Sequence, residues 1–239
     1  MPDSRASARR DEVEARLAAV DARIAGAAAA GGRRREDITL IVVTKTWPES
    51  DVRLLHSLGV RDVGENRHPE AEVKANACAD LDLRWHFIGQ IQSNKAPRIA
   101  HYADVAHSVD SVRAAQRLNA GAHSGERIVD CLVQVSLDPE EAKAGRGGAS
   151  AGDVEAVARA VDDAEALRLR GVMGVAPLGG DAAQAYRRLA DEAAQLRAVY
   201  PSAAWISAGM TADFELAIAA GATHVRVGSA ILGERPPLR

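Results

Sequence analysis

One pattern, repeated eight times between residues 38 and 227, constrains this chain more than any other feature: a short strand-like run, in several repeats rich in Val, Ile and Leu, followed in all but the last repeat by a stretch of helical spacing. The runs fall at 38–44, 60–63, 84–88, 105–108, 128–135, 167–173, 203–206 and 223–227. Several are nearly continuous in apolar or β-branched residues, the composition of a strand covered on both faces, as in a parallel sheet. Helical spacing fills 49–58, 70–77, 93–101, 111–123, 152–164, 181–199 and 211–220. Eight strand–helix alternations in one chain predict an α/β fold, a (β/α)8 TIM barrel, with an open doubly wound sheet as the rival arrangement.

Ahead of the first run, Val13, Leu17, Val20 and Ile24 recur at helical spacing and Gly31-Gly32 stops the pattern. This predicts an extra N-terminal helix over about residues 7–30, docked on the barrel. No stretch has linker composition, so residues 1–239 are expected to form a single domain. The loop at 136–152 is the longest polar segment and the one expected to move most. Apolar residues make up 47% of the chain and aromatics only 3%, so the core must be built from Ala, Val, Leu and Ile.

Charge and composition exclude several classes of function. A net charge of −3 leaves no basic excess for general nucleic-acid binding. No apolar run approaches the ~20 residues that span a bilayer, so no membrane insertion is expected. The two cysteines, Cys78 and Cys131, form no CxxC pair, and the seven histidines form no HExxH or HxxxH arrangement. Neither a disulfide framework nor a metal is expected, and a reducing, cytoplasmic setting is the simplest context. Arg33-Arg34-Arg35 reads as a solvated charge run, and His86 and His224 as core or near-core histidines.

In β/α barrels, ligands bind where the strands end at their C-terminal side. The residues there include Lys45, Gly64-Glu65-Asn66, Gln90 to Lys95, Ser108, Asp110, Gln134, Ser136, Ser207 to Thr211 and Gly228-Ser229. Lys45 is one of only four lysines among the 30 basic residues. A lysine at the inner end of a buried strand is desolvated, which lowers its pKa and suits it to Schiff-base chemistry. The alternative is an edge lysine paired with a carboxylate such as Glu65. The loops after strands 7 and 8, Ser207-Ala208-Gly209-Met210-Thr211 and Gly228-Ser229, have the Gly and Ser content of a phosphate cradle, where β/α barrels often place one. Helix capping by Ser or Thr would leave the same signature. Arg226 lies in the last strand, either facing the interior, where it needs an acceptor, or facing a helix.

Five ordered motifs cover nearly the whole chain: Val43-Thr44-Lys45-Thr46, Gly64-Glu65-Asn66, Trp85-His86-Phe87-Ile88-Gly89 with Gln92-Ser93-Asn94-Lys95, Gly209-Met210-Thr211-Ala212-Asp213, and Val225 through Gly233. Together they resemble the YggS/PROSC pyridoxal phosphate homeostasis family. The resemblance implies a barrel similar to the N-terminal domain of alanine racemase, with pyridoxal 5′-phosphate (PLP) as cofactor and Lys45 as its imine lysine. It implies Ser207, Gly209, Gly228 and Ser229 as phosphate ligands, Arg226 facing the pyridine nitrogen, and Asn66 near the ring. No catalytic residue is assigned. The implied role is to buffer, carry or deliver PLP in the cell, with apo PLP-dependent enzymes as candidate partners and a monomer as the expected state. A weakly active racemase-type PLP enzyme is the alternative, and a phosphate-sugar barrel enzyme without PLP a further one. Racemases of this barrel type use a second domain with a catalytic tyrosine, and this chain ends at Arg239, just past the eighth strand. Two departures stand out: Ala208, where the family has a bulkier residue, and Arg67-His68-Pro69 after Gly-Glu-Asn, which puts the role of that loop in doubt. Lys95 and Lys143 are candidate secondary or transfer sites.

Overall fold

The structure, a computed structural model, describes residues 4–138 and 147–234. Eight strands close into a parallel barrel in sequence order, β1 (Thr39–Val43), β2 (Asp62–Glu65), β3 (Arg84–Phe87), β4 (Val105–Val109), β5 (Val129–Gln134), β6 (Leu167–Met173), β7 (Trp205–Ser207) and β8 (His224–Val227), with β8 pairing back onto β1. The closed sheet rules out the doubly wound alternative. Helices α2 (Glu49–Ser57), α3 (His68–Ala77), α4 (Ala96–Ile99), α5 (Val112–Ser124), α6 (Val154–Asp162), α7 (Ala182–Val199) and α8 (Phe214–Ala219) follow successive strands, and a short α9 (Ser229–Leu232) follows β8.

The expected N-terminal helix is α1 (Ser4–Ala30), which begins a few residues earlier than its apolar spacing indicates. It straps the seam where the barrel closes. Arg9 donates to Asp51 of α2 at 3.0 Å and to the Leu232 carbonyl of α9 at 3.1 Å. Farther along, Arg23 pairs with Glu215 at 2.7 Å and lies over the Phe214 ring at 4.4 Å, both in α8.

Two strands sit further along the chain than their apolar runs indicate. β2 extends through Gly64 and Glu65 because Lys74 neutralises the buried Glu65 carboxylate, so a polar residue can end a covered strand. β7 starts at Trp205 because Ala203 is drawn into a turn by its N–H bond to the Tyr200 carbonyl at 2.9 Å. Among helices, the stretch expected at 93–101 narrows to α4, which begins beside Pro97, a residue pre-set for a first helical turn. The stretch expected at 211–220 narrows to α8 because the Asp213 carboxylate first accepts the Met210 N–H at 2.7 Å, holding a turn.

The core between strands and helices is aliphatic, as the low aromatic content requires. Inside the barrel, Val105, Leu132 and Met173 form a small apolar cluster. Below them Asp130 accepts Arg84 and Arg170, each at 2.8 Å, and both guanidiniums lie 5.1 Å from the Trp205 ring. His224 meets the same indole at a tilt, with ring centroids 4.5 Å apart. Of the loop expected to be most mobile, residues 139–146 lie outside the described residues.

Helix α5 approaches α4 so closely that a Cβ at Gly121 would collide with the Pro97 backbone, 2.7 Å from its carbonyl carbon. Gly→Ala inside a helix normally stabilises by ~1 kcal/mol. Here the sign should reverse, with Gly121→Ala lowering stability by about 1–3 kcal/mol. Urea unfolding should show a lower midpoint at unchanged m-value.

Candidate cofactor site

At the C-terminal end of the barrel, Val43, Lys45, Trp47, Ile88, Met210, Thr211, Ala212, Arg226, Gly228, Ser229 and Gly233 line a cavity of about 270 Å³. Ligand pockets run from ~300 to 1,000 Å³, so this one lies just under the small end of that range. A larger hollow of about 660 Å³ lies at the opposite end, between α1 and the strand starts, lined by Glu14, Arg35, Thr39 and Asp62 among others. It is wider, but it lies away from the strand ends where barrel chemistry is sited.

Four of the seven residues expected at the site share the smaller cavity: Lys45, Arg226, Gly228 and Ser229. Gly228 is bare because its Cβ would sit 3.1 Å from the Val43 carbonyl of the neighbouring strand. It hands over directly to α9, and the first N–H groups of a helix have no partner within it. Ser229 faces Thr211 across the cavity mouth, their hydroxyl oxygens 3.5 Å apart, so the loops after β7 and β8 meet there.

The other three lie elsewhere. Asn66 lines an adjoining hollow of about 340 Å³ with Arg67, His68, Gln90 and Lys95. Its carbonyl leaves no room for a side chain at Gly89. Gly209 turns with φ +88° and packs against Phe214, and its carbonyl accepts the Arg226 N–H at 3.0 Å. Ser207 is the last residue of β7, fully buried, and its hydroxyl is inside the barrel, bonded to Arg226 and His107. Lys143 lies outside the described residues.

Arg226 faces the barrel interior. It is 4% exposed and donates through Nη1 to Ser207 Oγ at 2.6 Å and through Nη2 to the Gly174 carbonyl at 3.0 Å. Those bonds use two of its five N–H donors. Burial pulls the guanidinium down to about 10, against the pull of nearby Tyr186 and Asp213, which still leaves it cationic at neutral pH.

Lys45 is half-buried and lines the cavity directly after β1. Glu65 is bonded by Lys74, whose Nζ lies 2.7 Å from Glu65, 2.9 Å from Glu70 and 2.8 Å from the Thr44 carbonyl. Thr44 Oγ1 also donates to Glu65 at 2.7 Å. Desolvation pushes the Glu65 carboxyl up despite Lys74. Desolvation also opposes ionisation of Glu70, but its bonds from Lys74 and the Thr46 N–H win and hold its carboxyl down. The Thr46 N–H reaches Glu70 at 2.7 Å with Thr46 at φ +69°, a left-handed conformation that a β-branched residue adopts only when its surroundings impose it. The Lys74–Glu65–Glu70 cluster therefore fixes the backbone that carries Lys45. The sequence signal for it was the four-residue spacing from Glu70 to Lys74, which aligns two side chains on one helical face.

The barrel and this rim define a class. The family model for the N-terminal domain of alanine racemase matches residues 17–236. Within that class the chain belongs to the pyridoxal phosphate homeostasis protein family. It is 41% identical to the protein of that name from Mycobacterium tuberculosis, over 95% of this chain and 94% of the relative. It is 36% identical to that from Escherichia coli, over 94% and 97%. The solved structure of PipY from Synechococcus elongatus with PLP bound superposes with a TM-score of 0.79 at 33% identity, over 92% of this chain and all of that one.

Removing Lys74 would strand the buried Glu65 carboxylate and take one bond from the half-buried Glu70. Lys74→Met should cost about 3–5 kcal/mol at pH 7. Glu65 already has a raised carboxyl in the folded state, so in the variant it takes up a proton more readily there than in the unfolded chain. The deficit should therefore shrink as pH falls from about 7 to about 5. Denaturant titrations of both proteins at the two pH values measure it.

Proposed function

We propose that this protein binds pyridoxal 5′-phosphate in the Lys45 cavity, as a Schiff base on Lys45, and serves intracellular PLP homeostasis by holding the cofactor and releasing it to apo PLP-dependent enzymes. The observation that carries this reading is the convergence, in one small cavity, of an amine, a guanidinium and two hydroxyl-bearing loops. That donor set matches the three functional parts of the cofactor. Lys45 would take the aldehyde carbon, Arg226 would donate to the pyridine nitrogen, and the Gly228-Ser229 turn with Thr211 would receive the phosphate. Gly209 contributes by shaping the second loop, and Ser207 by holding Arg226. Asn66 borders the neighbouring hollow, where Lys95 is the candidate for a second attachment point.

When bound, the cofactor supplies a carbonyl for reversible attachment of an amine. A cationic donor at the ring nitrogen keeps that nitrogen unprotonated and weakens the electron sink that carbanion chemistry requires. Lys45 and Arg226 are the ionisable side chains among the described residues that line the cavity, and a guanidinium is a poor proton carrier. These features favour retention of the cofactor over turnover. No described helix is long and apolar enough to cross a membrane. The two described cysteines are free and buried, and desolvation raises both thiols, which fits a reducing cytoplasmic setting.

Borohydride reduction of the PLP-loaded protein followed by peptide mass spectrometry should find pyridoxyl on the Lys45 peptide. Lys45→Ala should lose the visible absorbance of the bound cofactor. Pyridoxyl on another lysine with Lys45 unmodified would refute the site. Formation of D-amino acids faster than about 1 s⁻¹ would point to a racemase-type enzyme instead.

A further inference from the structure

A continuous line of hydrogen bonds crosses the inside of the barrel from the cavity to the opposite end. Arg226 Nη1 meets Ser207 Oγ at 2.6 Å, Ser207 Oγ meets His107 Nδ1 at 2.9 Å, His107 Nε2 meets His86 Nδ1 at 2.8 Å, and His86 Nε2 meets Asp62 Oδ1 at 2.9 Å. The line uses β8, β7, β4, β3 and β2, and its His107–Ser207 link spans the interior between strands that are not neighbours. Ser207, His107, His86 and Arg226 are each no more than 4% exposed, while Asp62 borders the wide hollow at the far end.

We propose that His107 and His86 are positioning residues that hold Arg226 in place for the cofactor, through a one-way chain of donors running Arg226, Ser207, His107, His86, Asp62. The proposal rests on the PLP reading of the cavity. The direction follows from what each group can do. Arginine only donates, so Ser207 Oγ accepts from it and its own proton is free to turn to His107 Nδ1. A neutral imidazole has one donor and one acceptor nitrogen, so His107 Nε2–H then donates to His86 Nδ1, and His86 Nε2–H donates to the Asp62 carboxylate. The reverse direction would require a proton on Asp62 or a charge on an imidazole.

The surroundings oppose both. Burial holds His86 neutral against the pull of Asp62 and Asp104, with Arg84 adding to the burial effect. Burial likewise keeps His107 neutral, reinforced by His86, Arg226, His224 and Arg84. Desolvation opposes ionisation of Asp62, but the hydrogen bond from His86 and the charge of Arg84 hold its carboxyl below the ordinary range. A fixed direction has a structural result. The Ser207 proton is committed to His107, so the guanidinium has one stable acceptor at Nη1 and another at the Gly174 carbonyl, and its remaining N–H groups belong to the cavity it lines.

Long-range nitrogen–proton NMR of the ligand-free protein reads the ring tautomers directly. Both rings should be neutral Nε2–H forms and stay so from about pH 8 to about pH 5. An Nδ1–H tautomer on either ring, or protonation of either within that window, would overturn the chain. His107→Phe should weaken PLP binding about tenfold and shift the absorbance maximum of the bound cofactor, while His107→Gln, which can accept and donate at similar positions, should recover binding to within about threefold. Binding and spectrum unchanged in a folded His107→Phe would overturn the positioning role. Failure of the wild-type protein to take up PLP would instead refute the cofactor reading, with the tautomers still deciding the direction of the chain.

Discussion

A cation buried inside the barrel sets the terms for the rest of the molecule. Arg226 is held by a hydroxyl and a carbonyl, with no carboxylate among the described residues bonded to it. A buried charge with only neutral acceptors is tolerated where those acceptors are well placed and a further partner can reach the remaining donors. Much of the interior architecture serves that arrangement. Gly209 turns so that its carbonyl takes the Arg226 backbone N–H, β6 delivers the Gly174 carbonyl, and β7 delivers Ser207. The polar interior is affordable because the apolar contacts that stabilise the fold lie mostly outside the strands, against the helices.

The second buried cation, Lys74, works by the opposite rule. It is fully saturated by Glu65, Glu70 and a carbonyl, and the cluster imposes a left-handed turn at Thr46. The two arrangements divide the labour at the rim. Lys74 uses its charge to shape backbone, and Arg226 keeps part of its hydrogen-bonding capacity for the cavity. Lys74 and Thr44 both bond the same oxygen of Glu65, Oε1, on the strand that pairs with the one leading to Lys45.

The fold was legible because its signal is periodic. Most strands announced themselves by short apolar runs and most helices by apolar spacing, so the element order and barrel class followed from the sequence. Strand ends were less legible: Glu65 and Ser207 are polar residues that look like loop but finish strands, since partners distant in sequence satisfy them. The same blind spot affected the site. Lys45, Arg226, Gly228 and Ser229 could be gathered by their position after or near the ends of strands. Ser207 could not be separated from a phosphate ligand by position alone, because its orientation depends on Arg226 and on His107, a hundred residues away. The histidines carry no spacing motif, because residues on different strands of a barrel meet by register and not by sequence interval.

The seam of the barrel has a consequence for how the protein matures on the ribosome. β1 pairs with β8, and Arg9 of α1 reaches the Leu232 carbonyl 223 positions later. Early strands can associate while synthesis continues, but their first and last members cannot meet until the eighth has emerged. The turn at Gly228-Ser229 and the guanidinium of Arg226 belong to that last portion. A nascent chain therefore exposes Lys45 long before Arg226 and the Gly228-Ser229 turn exist, and the cavity that gathers them is completed in a single late event, when the circle closes.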